Sequence, residues 1–202
     1  YDSEASLQGC TISRCDRGCR LSDSELDLRD STVRENRQGI AAQHSSFTLS
    51  GVKLLSNSQE GVAADQCRFR LTGSLFVENR SGLRLTGGDG QIFLCRFSQN
   101  RESGAELVGV RVRINSSSFI QNSGVGLLLE NSRGSVAGSV FGDNGAGNLH
   151  NRGNEPFAAL LNWWGSADEN QIAAGILDPE RKLDAALVMF VPFLRERPVT
   201  AP

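Results

Sequence analysis

Five arginines fall where they could act together: Arg68 with Arg70, Arg111 with Arg113, and Arg133. Guanidinium groups arranged on one surface grip carboxylates or sulfates through paired hydrogen bonds, a chemistry suited to an anionic polymer. Asp89 lies among them, and its plainest reading is a bridge to Arg68 and Arg111, a surface charge balance of small worth in water. A second chemistry, glycoside hydrolysis, needs two carboxyls about 5–5.5 Å or 6.5–9.5 Å apart. Glu35 with Glu78, and Glu25 with Asp27, are the acid pairs that could meet this spacing, but a chain with 23 acidic residues makes such pairs cheaply. Neither pair is ringed by the aromatics that a sugar subsite usually offers, so no residue is assigned a catalytic role.

Metal and thiol chemistry have weaker claims. Cys10, Cys15 and Cys19 cluster, while Cys67 and Cys95 stand apart, and five is an odd number for a disulfide framework. Three neighbouring thiols could hold a metal or close one local disulfide. However, there is no CxxC pair, and His44 and His150 are distant in sequence. Small buried filler is the favoured reading. No zinc-ligand spacing, phosphate loop or nucleophile elbow is visible, and neither a metal nor a cofactor is expected.

What must position these side chains is a repeat. Asn36, Asn57, Asn79, Asn100, Asn122 and Asn144 recur every 21 or 22 residues, and Cys15 begins the same column. Three residues before each stand Ile12, Val33, Leu54, Phe76, Phe97, Phe119 and Phe141, and eight before stand Leu7, Leu28, Leu49, Leu71, Ile92, Ile114 and Val136. A glycine follows each column member, from Gly18 to Gly147, and apolar residues follow the glycine at alternate positions. In the last copy these positions fall on Asn148 and His150, which breaks the column. Alternation at period two marks strands with one buried face. A unit of this length holding three short strands cannot bury that face alone, so copies must stack as a solenoid. The handedness of parallel crossovers favours a right-handed coil. A leucine-rich repeat, which shares the period, would need large aliphatics five residues before the Asn and two after; those columns are mostly small and mostly polar.

The expected fold is therefore all-β: one single-stranded parallel β-helix of about seven coils, about 30 Å long at the usual strand spacing. Within it the recurrent Asn should bond turn backbone as a ladder between coils. The glycine answers to a positive φ or a close backbone approach. Cys10 and Cys95 fall in the small interior column, and the Phe column is a buried stack. Glu35 and Glu78 then lie two coils apart, about 9.6 Å, and Glu25 and Asp27 about 6.6 Å apart on one strand.

Residues 1–202 read as one domain: coils over 1–153, a closing segment over 154–194 and a tail over 195–202. The closing segment carries Asn162-Trp163-Trp164-Gly165, then Ile172, Ile176 and Asp178, then an apolar run from Leu187 to Phe190 and Pro192-Phe193-Leu194. Together with the coil repeat this resembles the bacterial right-handed parallel β-helix proteins of the pectate-lyase-like fold group. The resemblance implies a Trp-containing closing segment, with Trp163 and Trp164 as a lid over the last coil, ahead of a sugar-stacking role. It implies little about activity, because that group spans lyases, hydrolases, epimerases, adhesins and non-catalytic surface domains. Its lyases use Asp clusters with calcium and an Arg base, and its polygalacturonases an Asp trio; no comparable cluster is visible. Its alginate epimerases carry Asp-Pro-His, where this chain has Asp178-Pro179-Glu180.

The leading expectation is a non-catalytic domain of an exported bacterial protein, acting as a rigid or carbohydrate-binding surface. The ligand would be an anionic polysaccharide along Arg68, Arg70, Arg111, Arg113 and Arg133 with Asp89. The alternatives are a polysaccharide lyase, hydrolase or epimerase whose site is partly outside this chain, and an adhesin or tailspike-like oligomer. A formal charge of −2 argues against general nucleic-acid binding, and no apolar run suits membrane insertion. The chain starts inside a coil without a capping helix, so an adjoining domain, a further coil upstream of Tyr1 or a covering partner is expected. An extracytoplasmic location follows from the resemblance alone.

Overall fold

On the first face the strands from Glu25–Arg29 onward mostly alternate buried and outward side chains, and the three strands of a unit bend around one interior. A computed structural model describes residues 3–177 and 188–202. Tyr1, Asp178, Pro179, Glu180 and Leu187 lie outside the described residues. The chain winds through about seven coils, and every strand pairs in parallel with its counterpart one coil away. In the third coil, Ser46–Ser50 lies on a first face, Lys53–Leu55 on a second, and the first part of Glu60–Thr72 on a third. Among the described residues the second face is a 7-stranded sheet. The other two faces merge into a 15-stranded sheet, because Glu60–Thr72 and Ser81–Phe93 run continuously around the corner between them.

The corners explain the repeat. At each one a residue takes a left-handed conformation and the next points inward. At the Asn corner the left-handed residues are Arg14, Glu35, Ser56, Glu78, Gln99, Gln121 and Asp143, with φ from 52° to 61°. This turn takes the following amide out of the strand ladder, and a side chain of the next coil receives it. The backbone N–H groups of Asn36, Asn57, Asn79, Asn100 and Asn122 donate to the Oδ1 of the next Asn at 3.0–3.1 Å. Each Nδ2 in turn donates to the carbonyl of the Phe column one coil back, as Asn100 does to Phe76 at 3.1 Å. The first rung is the Cys15 amide donating to Asn36 Oδ1, and the last Asn, Asn144, donates to Asn148 Oδ1.

The small column five residues earlier is a second ladder rather than filler. The amides of Cys10, Val52, Cys95 and Ser117 donate to the hydroxyls of Ser31, Ser74, Ser117 and Ser139 at 3.0–3.1 Å. A third ladder runs through Ser45, Cys67 and Ser132 at the remaining corner, which is where Cys67 belongs. The glycine column answers to close approach rather than to a positive φ. A Cβ on Gly61 would lie 2.6 Å from the Gly82 carbonyl oxygen and 3.2 Å from Asn79 Nδ2.

The interior is continuous. Phe76, Phe97, Phe119 and Phe141 stack with ring centroids 4.5–5.1 Å apart. Trp164 continues the stack, 4.5 Å from Phe141, and is 3% exposed. The two Trp are therefore not a matched lid: Trp164 is core, whereas half-buried Trp163 extends the second face through a bridge to Val140. Three further details depart from the sequence reading or extend it. The glycine column ends on Asn148, not Gly147, so Leu149 pairs with Leu127 and buried Asn151 with Leu129. Parallel pairing also runs on into the closing segment, where Phe157–Ala158, Ile176–Leu177 and Val188–Met189 extend the ladders. Asn162 takes the serine column, receiving the Ser139 amide at 2.9 Å.

Asn79→Ala removes the acceptor of the Asn57 amide and the donor to the Leu54 carbonyl. We expect it to lower unfolding stability by about 1–3 kcal/mol, read from the denaturant midpoint. An unchanged midpoint would reject the ladder as a stabilising element.

Candidate functional site: an arginine-rich face

The five arginines singled out in the sequence meet, with Asp89, on the first face. Its strands pair in register over seven coils, so outward positions form columns. One column reads Glu4, Glu25, Ser46, Arg68, Asp89, Arg111, Arg133. Its neighbour reads Ser6, Asp27, Thr48, Arg70, Gln91, Arg113, Ser135. Beneath them Leu71, Ile92 and Ile114 are fully buried and hold the strands in place. The face is bipolar, acidic over the first coils and basic from Arg68 onward.

Arg68, Arg70, Arg111 and Arg113 are exposed. Among the described residues, none of their side chains makes an ion pair within 4.0 Å or a hydrogen bond. Asp89 is likewise exposed and does not bridge Arg68 and Arg111, so the charge-balancing expectation is corrected. The side chains project into water side by side, where an exposed pair gains little from ordering. Arg133 differs, since its Nη2 donates to Glu155 at 2.5 Å and this hydrogen bond holds the Glu155 carboxyl below its ordinary range. A shallow depression of about 240 Å³ lies over this region, lined by Arg68, Arg70, Asp89 and Gln91 among others.

The candidate acids are differently placed. Glu35 and Glu78 sit at the Asn corner, away from the arginine face, as left-handed turn residues. Glu35 is engaged by Arg14 at 3.2 Å and Arg34 at 3.1 Å, and Glu78 accepts a hydrogen bond from Ser56 Oγ at 2.9 Å. Glu25 and Asp27 do share the first face, on its acidic end. Asp27 accepts hydrogen bonds from Arg29, which keeps its carboxyl below the usual range. Exposed His44 is a left-handed corner residue, and His150 is half-buried on the third face.

One residue escaped the sequence reading. Phe93 is 45% exposed and points outward from the same strand as Asp89 and Gln91, between Thr72 and Asn115 of the flanking coils. The signal was available: Phe93 follows Ile92 directly, and at period two it must face away from the core.

Among the described residues no group of three His, Cys, Asp or Glu side chains is placed to hold a metal. All five cysteines are free. Burial pushes the Cys95 thiol up to about 12, and burial also raises Cys67 and Cys19. No helix among the described residues is long and apolar enough to cross a membrane.

The family model described as a right-handed beta helix region matches residues 21–162. This chain belongs to the right-handed β-helix family. The matched span takes in the whole arginine face of the β-helix and most of its Asn ladder. Among solved structures, the crystal structure of the periplasmic alginate epimerase AlgG is similar, with 16% sequence identity, a TM-score of 0.48 and 68% of this chain covered. The chain spans 44% of the length of that protein, and a likeness at this level carries no information on activity. No curated protein sequence matches this β-helix.

The thiols supply a direct check on the fold. A thiol whose pKa is raised stays protonated and unreactive until pH approaches that value. At pH 8 a disulfide-exchange reagent should modify exposed Cys15 quickly, and Cys67 and Cys95 only on unfolding. Rapid native-state modification of Cys95 would contradict its placement.

Proposed function

We propose that this β-helix is a non-catalytic, carbohydrate-binding surface module of an exported protein, holding an anionic polysaccharide along its first face. The observation that carries the reading is the set of four exposed, unpaired guanidiniums, Arg68, Arg70, Arg111 and Arg113, on a rigid sheet. Holding them close costs electrostatic self-repulsion, which an anionic ligand would relieve. Coils stack about every 4.8 Å, near the advance of one sugar unit, so a chain lying along the axis meets successive rungs. A catalytic role has less support, because Glu35, Glu78 and Asp27 are each engaged by neighbouring side chains.

The test is binding of uronate polymers, sulfated chains and neutral glucans at low and moderate salt. Anionic polymers should bind and weaken as salt screens the exposed contacts. Arg111→Ala with Arg113→Ala should lower affinity about tenfold or more, at least about 1.4 kcal/mol. Binding confined to neutral glucans, or indifferent to that double substitution, would defeat the proposal. Release of unsaturated or reducing ends would establish catalysis instead, and self-association by light scattering would favour an adhesin-like oligomer.

A further inference from the structure

The free arginines do not form an unbroken stripe. They occupy two rungs, Arg68 with Arg70 and Arg111 with Arg113, and the coil between them presents Asp89, Gln91 and Phe93. The register is unambiguous: Asp89 pairs with Arg68 on one side and Arg111 on the other, and Gln91 with Arg70 and Arg113. Beyond Arg111, Arg133 is consumed by Glu155, and before Arg68 stand Ser46 and Thr48. The cationic rungs are therefore two coils apart, about 9.6 Å, with one rung of different chemistry between them.

That middle rung suits an uncharged sugar. Phe93 offers an exposed aromatic face on which the C–H side of a pyranose ring can rest. Gln91 offers a donor and an acceptor, and Asp89 offers acceptors for hydroxyl or amide protons. The same Asp89 opposes a carboxylate at that position. The rung is held from below: Gly90, between Asp89 and Gln91, has no side chain, and the Phe69 ring fills the space where one would go. A Cβ on Gly90 would lie 2.6 Å from that ring and 2.1 Å from the Phe69 carbonyl oxygen.

We infer that the first face reads charge periodicity, selecting a linear polysaccharide with an anionic group on alternate units and a neutral sugar between. The inference rests on the polyanion reading of this face and names its ligand class. Arg68/Arg70 and Arg111/Arg113 take the two anionic units, and Asp89, Gln91 and Phe93 take the unit between.

The probes are hyaluronan oligosaccharides, which alternate glucuronate with an N-acetylated amino sugar, and oligogalacturonates of equal length, charged on every unit. At one ionic strength the alternating chain should bind about tenfold tighter to the unmodified β-helix. Asp89→Asn should narrow that ratio by raising oligogalacturonate affinity. Phe93→Ala should weaken the alternating chain about tenfold and the uniform chain less. Retained thermal midpoints confirm that these surface variants stay folded. Equal affinities with no response to either substitution would overturn periodicity selection and leave the polyanion surface standing. Binding of neither probe at low salt would overturn both.

Discussion

Every coil must turn three corners, and at each one an amide loses its strand partner. A left-handed residue such as Ser56 or Glu78 bends the chain, and the N–H that follows points at no carbonyl of the neighbouring strand. A buried N–H without an acceptor costs free energy on the scale of a lost hydrogen bond, and the penalty would recur at every turn. An inward Asn, Ser or Cys from the next coil supplies the acceptor. This constraint fixes the rest. The acceptor works only if successive coils stand directly over one another, so the coils are locked in register. Glycine follows because the ladder amide and the next carbonyl leave no room for a Cβ, and the aromatic stack forms because the same column recurs at every coil.

Register is also what turns a sequence into a surface. Arg68 and Arg111 are 43 residues apart in the chain, yet they lie two rungs apart on one flat face. Rigid spacing means that the guanidiniums need little reorganisation to meet a ligand, which conserves binding free energy. The same rigidity makes the gap at Asp89 as meaningful as the charges beside it, since the side chains cannot slide along the sheet to close it.

The fold was largely legible because the ladder imposes one residue type at a fixed interval, and Asn36 through Asn144 announce it. The serine ladder was harder to see, since Ser31, Val52, Ser74 and Cys95 share smallness but not chemistry; the third ladder was harder still, since the amide of Ser45 is received by the Cys67 sulfur rather than by a hydroxyl. The end of the repeat misled because Asn148, not a glycine, holds the glycine column there, four residues after Asn144 as Gly126 is after Asn122, while Gly147 beside it suggests a register one residue too early. On the site, the arginine columns followed from spacing alone. The freedom of those arginines did not, because it depends on how exposed side chains project from the sheet; the capture of Arg133 by Glu155 was within reach of the period, since Glu155 lies 22 residues further on, one coil away. Phe93 was not legible from the repeat columns, since it has no aromatic counterpart in the flanking coils, where Thr72 and Asn115 stand; only its place beside buried Ile92 turns it outward.

The ladder claim is open to one direct measurement, native-state hydrogen exchange at the backbone amides of Asn57, Asn79, Asn100 and Asn122. These amides lie at turns, yet those of Asn57, Asn79 and Asn100 donate to a buried Asn side chain and that of Asn122 to half-buried Asn144. If the ladder is the constraint on which the coils depend, they should exchange as slowly as the core strand amides and only through global opening. Exchange at the rate of exposed turn amides, with the neighbouring strands still protected, would contradict it.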